Sequence, residues 1–388
     1  MKKILLTGGG TAGHVTPNIA LMSLLKERGF TISYVGSYDG IEKKLIEETG
    51  TKYFGISSSK LRRYFDLKNL TDPFRVIKGY GEAKKLMKEE KPDVVFSKGG
   101  FVTVPVVMAA HKYKIPVVLH ESDMTPGLAN RICNPYATKV CCNFPETFEH
   151  LPKDKGVLTG QPIRSELFEG DKNKCLAFTG LSGSKPILLV TGGSLGSVAV
   201  NSAVRSVLND LLKKYDIIHT HTPMGSVVTR LAAKNARKKY GTRVIYTAHG
   251  FHFYLCGKNN LDSTLNNVPG YVQYEYIKDE LKDMFAAADI IISRAGANTI
   301  CELLALRKPN ILIPLPASQS RGDQLLNAAS FERQGFSKVL EEETLTNELL
   351  LNAVNEVYDK KEEYRKTMSS STQTNAVASI VSLIEELI

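Results

Sequence analysis

One repeated unit constrains this chain more than anything else in it. Residues 2–30, "KKILLTGGGTAGHVTPNIALMSLLKERGF", run from an apolar strand into a glycine turn. An apolar-periodic helix follows and stops at Gly29. "TISYVGS" reads as the next strand, and "PDVVFSKGGFVTVPVVMAAHKYKIPVVLHESD" repeats strand, glycine turn, helix and strand. After "GVLTGQPIRSELF", which reads as a crossing, the unit returns in "KPILLVTGGSLGSVAVNSAVRSVLNDLL" and "ADIIISRAGANTICELLALRKPNILIPLP". Strands that alternate with helices lie parallel, covered on both faces. The expected class is therefore α/β, with two doubly wound domains in tandem, and 388 residues are enough for both. Ligands of such sheets bind at the carboxyl ends of the strands, here across a cleft between the halves.

Composition narrows the class. Apolar residues make up 43% and charged residues 23%, the balance of a globular chain without a bilayer-spanning run. "MKKILLTGGG" is too short in apolar residues for a signal peptide and reads as a first strand. The six cysteines contain no C-x-x-C pair, which suits free thiols in a reducing compartment. Lys and Arg outnumber Asp and Glu by 50 to 40, a net +10 that favours phosphates, polyanions or an anionic membrane face. No nucleic-acid recognition motif is present. Lys60, Arg62, Arg63, Lys68, Arg75 and Lys78 interleave with Tyr64, Phe65, Phe74, Ile77 and Tyr80. That mixture suits an anionic membrane surface, and it equally suits a helix pair with its aromatics turned to the core.

Gly8, Gly10 and Gly13 fit G-x-G-x-x-G between strand and helix, formally a dinucleotide fingerprint. The acidic residue that should end the second strand is missing; the strand ends in Gly36 and Ser37, with Asp39 late. His14 stands at the mouth of the turn, where a dehydrogenase needs no titratable group. Backbone N–H groups at a helix start favour an anion. Gly99 and Gly100, and Gly192, Gly193, Ser194 and Gly196, make two more such turns. Three of them around one cleft suit a diphosphate on each of two substrates. Glu302, behind the turn at Gly296, can accept from vicinal ribose hydroxyls; Asp323, Gln324 and Asn327 open a helix and could read sugar hydroxyls.

In order along the chain, "GGGTAGHVTP", "SKGGFVTVP", "HESDMTPGLANR", "TGQPIR", "VTGGSLGSVAVN", "SRAGANTICEL" and "DQLLNA" resemble the MurG glycosyltransferase family. The resemblance covers Met1 to His219 and Leu255 to the C-terminus. It implies the GT-B arrangement, with residues 1–162 an acceptor- and membrane-side domain. Residues 163–365 would hold UDP-GlcNAc, and a helix within 366–388 would pack back toward the first domain. The family transfers GlcNAc from UDP-GlcNAc to the MurNAc 4-hydroxyl of lipid I with inversion, giving lipid II at the cytoplasmic face of the cell membrane.

The resemblance implies donor contacts from Thr11, Gly13, Arg164, Ser194, Ile277, Glu302, Asp323, Gln324 and Asn327. It implies acceptor contacts from Gly10, Ala12, Gly99, Gly100, Asp123 and Asn130. No metal or cofactor is implied. An inverting displacement needs a base for the acceptor hydroxyl; His14 is the first candidate and Glu121 the second. Asp123 stands where the family commonly has Asn, and Asp323 where it has His or Gln. Rival readings are a transferase forming another glycolipid, a chimera that binds UDP-sugar with impaired transfer, and, more distantly, a nicotinamide-dependent oxidoreductase.

One segment breaks the family pattern. Removing Thr220–Tyr254 leaves "KKYDIIHLCGKNNLD", a single strand and loop. The removed piece resembles part of the N-terminal domain of family 4 GT-B glycosyltransferases, as a recombined or engineered chimera would. It reads as loop, helix ("SVVTRLAAKNARKK") and strand ("TRVIYTA"). It also holds His221, His249 and His252 and directly follows His219. The piece could add a strand and helix to the second sheet, bring histidines to the cleft, or bind a metal through H-x-H and H-x-x-H.

Overall fold

The computed structural model describes residues 2–59, 72–191, 197–220, 252–255, 271–274, 280–320, 322–373 and 375–388. The chain divides into two compact units, Met1–Arg164 with Gln373–Ile388, and Ser165–Thr372. The divisions fall at 164/165 and 372/373, rather than at 162/163 and 365/366. The helix Lys361–Ser369 stays with the second unit because Tyr364 packs against that unit's core.

The first unit is a seven-stranded parallel sheet. Its strands are β1 (Lys2–Thr7), β2 (Phe30–Ser37), β3 (Lys52–Ile56), β4 (Val94–Ser97), β5 (Val117–Glu121), β6 (Lys139–Cys142) and β7 (Gly156–Leu158). They lie in the order β3-β2-β1-β4-β5-β6-β7. The strands are near-continuous apolar runs because both faces are covered. Successive residues alternate between two cores. Ile4 and Leu6 of β1 join Val94 and Phe96 of β4 against helix α1 (Thr16–Glu27). Leu5 and Val95 face the other way, toward Val106, Val107 and Ala110 of the later helix Thr103–Lys112. Proline in the first turn of α1 and Gly29 beyond its end, at φ 80°, bound that helix as the sequence indicates.

The C-terminal helix, Val377–Glu385, belongs to this unit. Ile380, Val381 and Ile384 complete the core over α1. The Asn375 side chain accepts from Ile163 N–H and donates to Ile163 C=O, both at 3.0 Å, and Ala376 N–H donates to Gln161 C=O. Burying three large aliphatic side chains contributes about 1.5–3 kcal/mol each.

The second unit carries β8 (Ile187–Thr191), β9 (Asp216–Thr220), β10 (His252–Leu255), β11 (Tyr271–Tyr274), β12 (Ile290–Ser293), β13 (Asn310–Leu312) and β14 (Lys338–Val339). These also form a parallel sheet, in the order β11-β10-β9-β8-β12-β13-β14. Leu188, Val190, Ile290 and Ile292 meet Val200 and Val204 of the helix Val198–Ser206, and Leu350, Val354 and Val357 of the helix Asn347–Asp359.

The segment 220–254 contributes a strand to this sheet at its C-terminal end. The expected strand at 242–248 and its helix lie outside the described residues. The added strand is β10, made by the segment's last three residues and Leu255, and it pairs with β9 on one side and β11 on the other. The strand that the family pattern reads as one is thus split across two neighbours. Deleting Thr220–Tyr254 keeps the β8–β9 pairing through His219 and the core described above. The deletion variant is expected to be soluble, with a thermal midpoint within about 4 °C of the full chain. Insoluble expression would show that the segment is needed for folding.

Candidate active site

In the first unit the chain builds β1, β2 and β3 to one side and then returns to place β4 on the other side of β1. The glycine turns after β1 and β4 therefore sit side by side at the point where strand order reverses. Gly9 N–H donates to Gly99 C=O at 3.2 Å, and Lys98 N–H donates to Thr7 C=O. Gly99 and Gly100 have φ of 98° and 92°, a region costly for other residues. A Cβ on Gly100 would also run into the backbone of Gly9. Two backbones can approach this closely only where both lack side chains.

From this contact the polar groups run outward in an unbroken chain. The first turn ends in a 3-10 segment, Ala12–His14, that presents a half-buried His14. Its Nδ1 lies 2.9 Å from Gly9 C=O and 3.3 Å from Thr11 Oγ1. A carbonyl only accepts, so this bond puts the proton on Nδ1 and the lone pair of the neutral ring on Nε2. On the other side Asn130 Oδ1 stands beside the Gly99 backbone, and Asn130 Nδ2 donates to Glu121 Oε2 at 2.8 Å.

Glu121 ends β5 and is buried. Both of its oxygens are taken: Oε1 accepts from Ser122 and Asp123 N–H, and Oε2 from Gly127 N–H and Asn130. Burial and then the Asp123 charge push its carboxyl up, while those donors pull it back. A buried carboxylate with this many N–H donors shapes the loop that carries Asp123. Its oxygens are committed to that loop, which favours a structural role for Glu121 over that of second base. Asn130 is likewise buried, in the short helix Leu128–Cys133 that follows that loop.

A carboxylate that the sequence does not single out sits beneath the first turn. Glu42, in helix α2 (Ile41–Glu47), is fully buried. It accepts from Ser37 N–H at 2.9 Å, from Ser37 Oγ at 2.5 Å and from Gly10 N–H at 3.2 Å. Burial pushes its carboxyl up, but the bonds from Ser37, its own backbone and Gly10 outweigh burial and hold it below the usual range. Gly9, Gly36 and Gly40 surround it, and a Cβ on any of them would collide with its side chain. Gly10 N–H, expected to meet an acceptor phosphate, is given to Glu42 instead. The acidic residue missing from the end of β2 is supplied five positions later, from a helix that reaches back.

Lys98 fills the interior behind the second turn. Its Nζ lies 2.7 Å from His120 Nδ1 and 3.3 Å from Gln161 Oε1, and it also donates to Ser122 Oγ. His120 Nε2–H donates to Gly160 C=O at 2.8 Å, and burial followed by the Lys98 charge holds the ring neutral. Arg164 is half-buried at the end of this unit, and its Nε has no hydrogen-bond partner among the described residues.

In the second unit, Ser194, Ile277 and the turn 192–196 lie outside the described residues. The helix Ala297–Ala305 starts at Gly296 as expected and carries a half-buried Glu302. Asp323 opens the helix Asp323–Arg333 after Gly322, whose φ is 80°. Gln324 Oε1 accepts from Leu315 N–H at 3.0 Å, bracing the preceding loop. Asn327 is fully buried and its amide reaches Ala295 C=O at 3.4 Å. It ties that helix to the turn after β12 and is not displayed to a sugar. Arg294, which sequence reading leaves without a role, holds the same region together. It donates to Ile313 and Pro314 carbonyls and pairs with Glu342 at 2.5 Å.

His219 is buried in β9 with Nε2 2.5 Å from Asn201 Oδ1, a bond between sheet and covering helix. The other histidines of the segment have no described side chain. Among the described residues no group of three or more His, Cys, Asp or Glu side chains gathers in a way that could hold a metal.

Residues 4–142 match the glycosyltransferase family 28 N-terminal domain, and residues 187–384 match the family 28 C-terminal domain. The chain belongs to glycosyltransferase family 28. A UDP-N-acetylglucosamine--N-acetylmuramyl-(pentapeptide) pyrophosphoryl-undecaprenol N-acetylglucosamine transferase of Lachnoclostridium phytofermentans is 58% identical over 387 residues, covering 100% of this chain and 99% of its own. A protein of the same name from Clostridium botulinum is 53% identical over 386 residues, with 100% and 99% covered. Among solved structures, MurG of Acinetobacter baumannii superposes with a TM-score of 0.69 at 24% identity, each chain covered in full. UDP-GlcNAc 2-epimerase of Neisseria meningitidis, bound to UDP-GlcNAc, gives 0.62 at 14% identity, with 99% of this chain and 100% of its own covered. Both are similar to this chain in fold.

The back-to-back glycines can be tested by substitution. Gly100→Ala adds a clash to an unfavourable φ and is expected to cost roughly 2–4 kcal/mol. Gly29→Ala has open space around it and should cost only about 1 kcal/mol. Denaturant melts of the two variants check this; equal losses would mean that the turns do not depend on close approach.

Proposed function

We propose that this family 28 chain transfers GlcNAc from UDP-GlcNAc to the MurNAc 4-hydroxyl of lipid I, forming lipid II with inversion. Relatives named for that reaction, 53–58% identical across the whole chain, support it. The observation that carries the chemistry is the bond from His14 Nδ1 to Gly9 C=O. It leaves Nε2 as the basic nitrogen at the mouth of the turn.

In this reading the acceptor hydroxyl attacks the anomeric carbon and gives its proton to His14 Nε2. The bond to the UDP oxygen breaks, and the leaving diphosphate takes the electron pair. The Gly99–Gly100 turn and the start of the helix Thr103–Lys112 receive the acceptor diphosphate, with Asp123 nearby on the loop that Glu121 holds. Thr11, Ala12 and Gly13 line the mouth of the first turn. On the donor side Glu302 takes the ribose hydroxyls, Ile277 the uracil, Ser194 and Arg164 the leaving diphosphate, and Asp323 with Gln324 the sugar end. Arg164 Nε, which has no hydrogen-bond partner among the described residues, supports its share.

The test is turnover of GlcNAc from UDP-GlcNAc to a lipid I analogue, with diacylglycerol as the rival acceptor. Transfer to lipid I alone is expected, and transfer to diacylglycerol alone would replace the proposal. His14→Ala at saturating acceptor should lose about 10²–10⁴-fold in kcat. Near wild-type turnover removes His14 as base.

A second reading, in which the chain binds UDP-sugar but transfers poorly, is favoured by one observation. β10 stands between β9 and β11, the strand that leads to Ile277. Without it, β11 would pair with β9 one strand spacing closer, about 4.8 Å. A higher kcat after deletion of Thr220–Tyr254, with binding of UDP-GlcNAc unchanged, would support that reading.

The proposal extends to an anionic membrane surface at the cytoplasmic face. Phe74 and Ile77 are 73% and 67% exposed, one turn apart on helix α3 (Asp72–Glu90), with exposed Arg75 and Lys78 beside them. Tyr80 of the same cluster packs against the core instead, and its members within 60–71 lie outside the described residues. No described helix is long and apolar enough to cross a membrane. Replacing Phe74 and Ile77 together by Glu is expected to weaken co-sedimentation with anionic vesicles more than about tenfold. Unchanged binding would move the membrane contact elsewhere.

A further inference from the structure

The same peptide unit serves both Glu42 and His14. The peptide bond between Gly9 and Gly10 has its N–H on Glu42 Oε2 at 3.2 Å and its C=O on His14 Nδ1 at 2.9 Å. We propose that Glu42 is a positioning residue for His14, acting through the Gly9–Gly10 peptide to fix the Nδ1–H tautomer and strengthen Nε2 as a base. The inference rests on the reading of His14 as the base, and extends it to a residue one hydrogen bond further back.

A carboxylate on the N–H end of a peptide withdraws that proton's positive charge and enriches the carbonyl oxygen at the other end. The richer oxygen is a better acceptor for Nδ1–H, and it stabilises the imidazolium more than the neutral ring. The result resembles a carboxylate holding a catalytic imidazole directly, except that a peptide stands between them. When the acceptor proton arrives on Nε2, the positive charge spreads over the ring, Nδ1–H stays on Gly9 C=O, and Glu42 remains ionised throughout.

The surroundings keep the charge of this relay fixed. Glu42 is held ionised by Ser37 and Gly10, and it faces two phenols, Tyr34 and Tyr53, from β2 and β3. Burial first, with smaller contributions from Glu42 and other neighbours, pushes both hydroxyls up, so they stay neutral. Tyr34 OH donates to Gly8 C=O and Tyr53 OH to Ser37 C=O, which pins the turn from below. Asp39 lies in the loop before α2, and Lys98 approaches Gly8 from the neighbouring turn through its Cβ. His14 is the one imidazole of this set, the side chain that takes up and releases a proton without leaving the turn. The glycines are part of the device: a Cβ at Gly9 would strike the Glu42 carboxylate, so no side chain can stand between acid and peptide.

The experiment reads His14 itself and uses the full chain. Histidine is labelled with ¹⁵N, and the tautomer and titration midpoint of His14 are measured for wild type, Glu42→Gln and Glu42→Asp. Gln keeps an acceptor for Gly10 but not the charge; Asp keeps the charge but withdraws it by one methylene. Wild type is expected in the Nδ1–H form. Both variants should lower the midpoint, Gln by about half to one pH unit. The acidic limb of the kcat/KM profile should move down with it. kcat at the plateau should fall about three- to tenfold with KM for UDP-GlcNAc unchanged. A folded Gln variant with wild-type midpoint and tautomer overturns the proposal. If the Gln variant does not fold, an unmoved midpoint in the Asp variant overturns it equally. The midpoint does not depend on turnover, so normal activity of His14→Ala would remove the base reading without deciding this coupling.

Discussion

Gly9 gives its N–H to the carbonyl of Gly99, and much of the first unit is arranged around that hydrogen bond. It joins the turns after β1 and β4, the two strands between which the order of the sheet reverses. The approach is close enough to exclude a side chain at Gly100 and demands a backbone conformation that glycine adopts without strain. His14 is fastened to one of these turns, and Asn130, held by His120 C=O and Glu121, stands beside the other. Moving either turn would move both, so the site is positioned by backbone geometry rather than by flexible side chains.

Buried charges around this contact keep it rigid. Glu42 closes the first turn from below, Glu121 organises the loop beyond the second, and Lys98 fills the space behind it with His120, Ser122 and Gln161. Each is a charged side chain whose hydrogen bonds run to the backbone or to neutral groups. Removing one partner would strand a buried donor or acceptor, which costs more than the bond itself contributes. The carboxylates near the glycine turns are therefore best understood as supports. The group left to exchange a proton is the imidazole that they help to hold.

Much of this was legible in the residues. Strand, glycine turn and helix recur because parallel strands buried on both faces must be apolar throughout and must turn sharply into their helices, so β1, β4, β8 and β12 could be read directly. The site was legible as a set of positions, but not as a set of roles. Glu121 and Asn327 have suitable chemistry for substrate contacts, yet burial assigns them to the interior, and burial depends on neighbours far away in sequence. Glu42 was visible as an acidic residue after the second strand, but not its reach back to Gly10. β10 was missed because four residues spanning a sequence boundary carry no periodicity, and pairing with β9 decides their conformation. His219, which looked like part of a reactive cluster, is a core histidine bound to Asn201.

The central claim is that the Gly99–Gly100 turn, set in place by its contact with the first turn, receives the acceptor's diphosphate. The direct measurement is a backbone-amide spectrum of the glycine-labelled chain titrated with undecaprenyl diphosphate in detergent. The account predicts that Gly99 and Gly100 shift in proportion to occupancy, while Gly10 shifts little because Glu42 holds its N–H. Shifts confined to glycines of the second unit, with Gly99 and Gly100 unmoved at saturation, would contradict it.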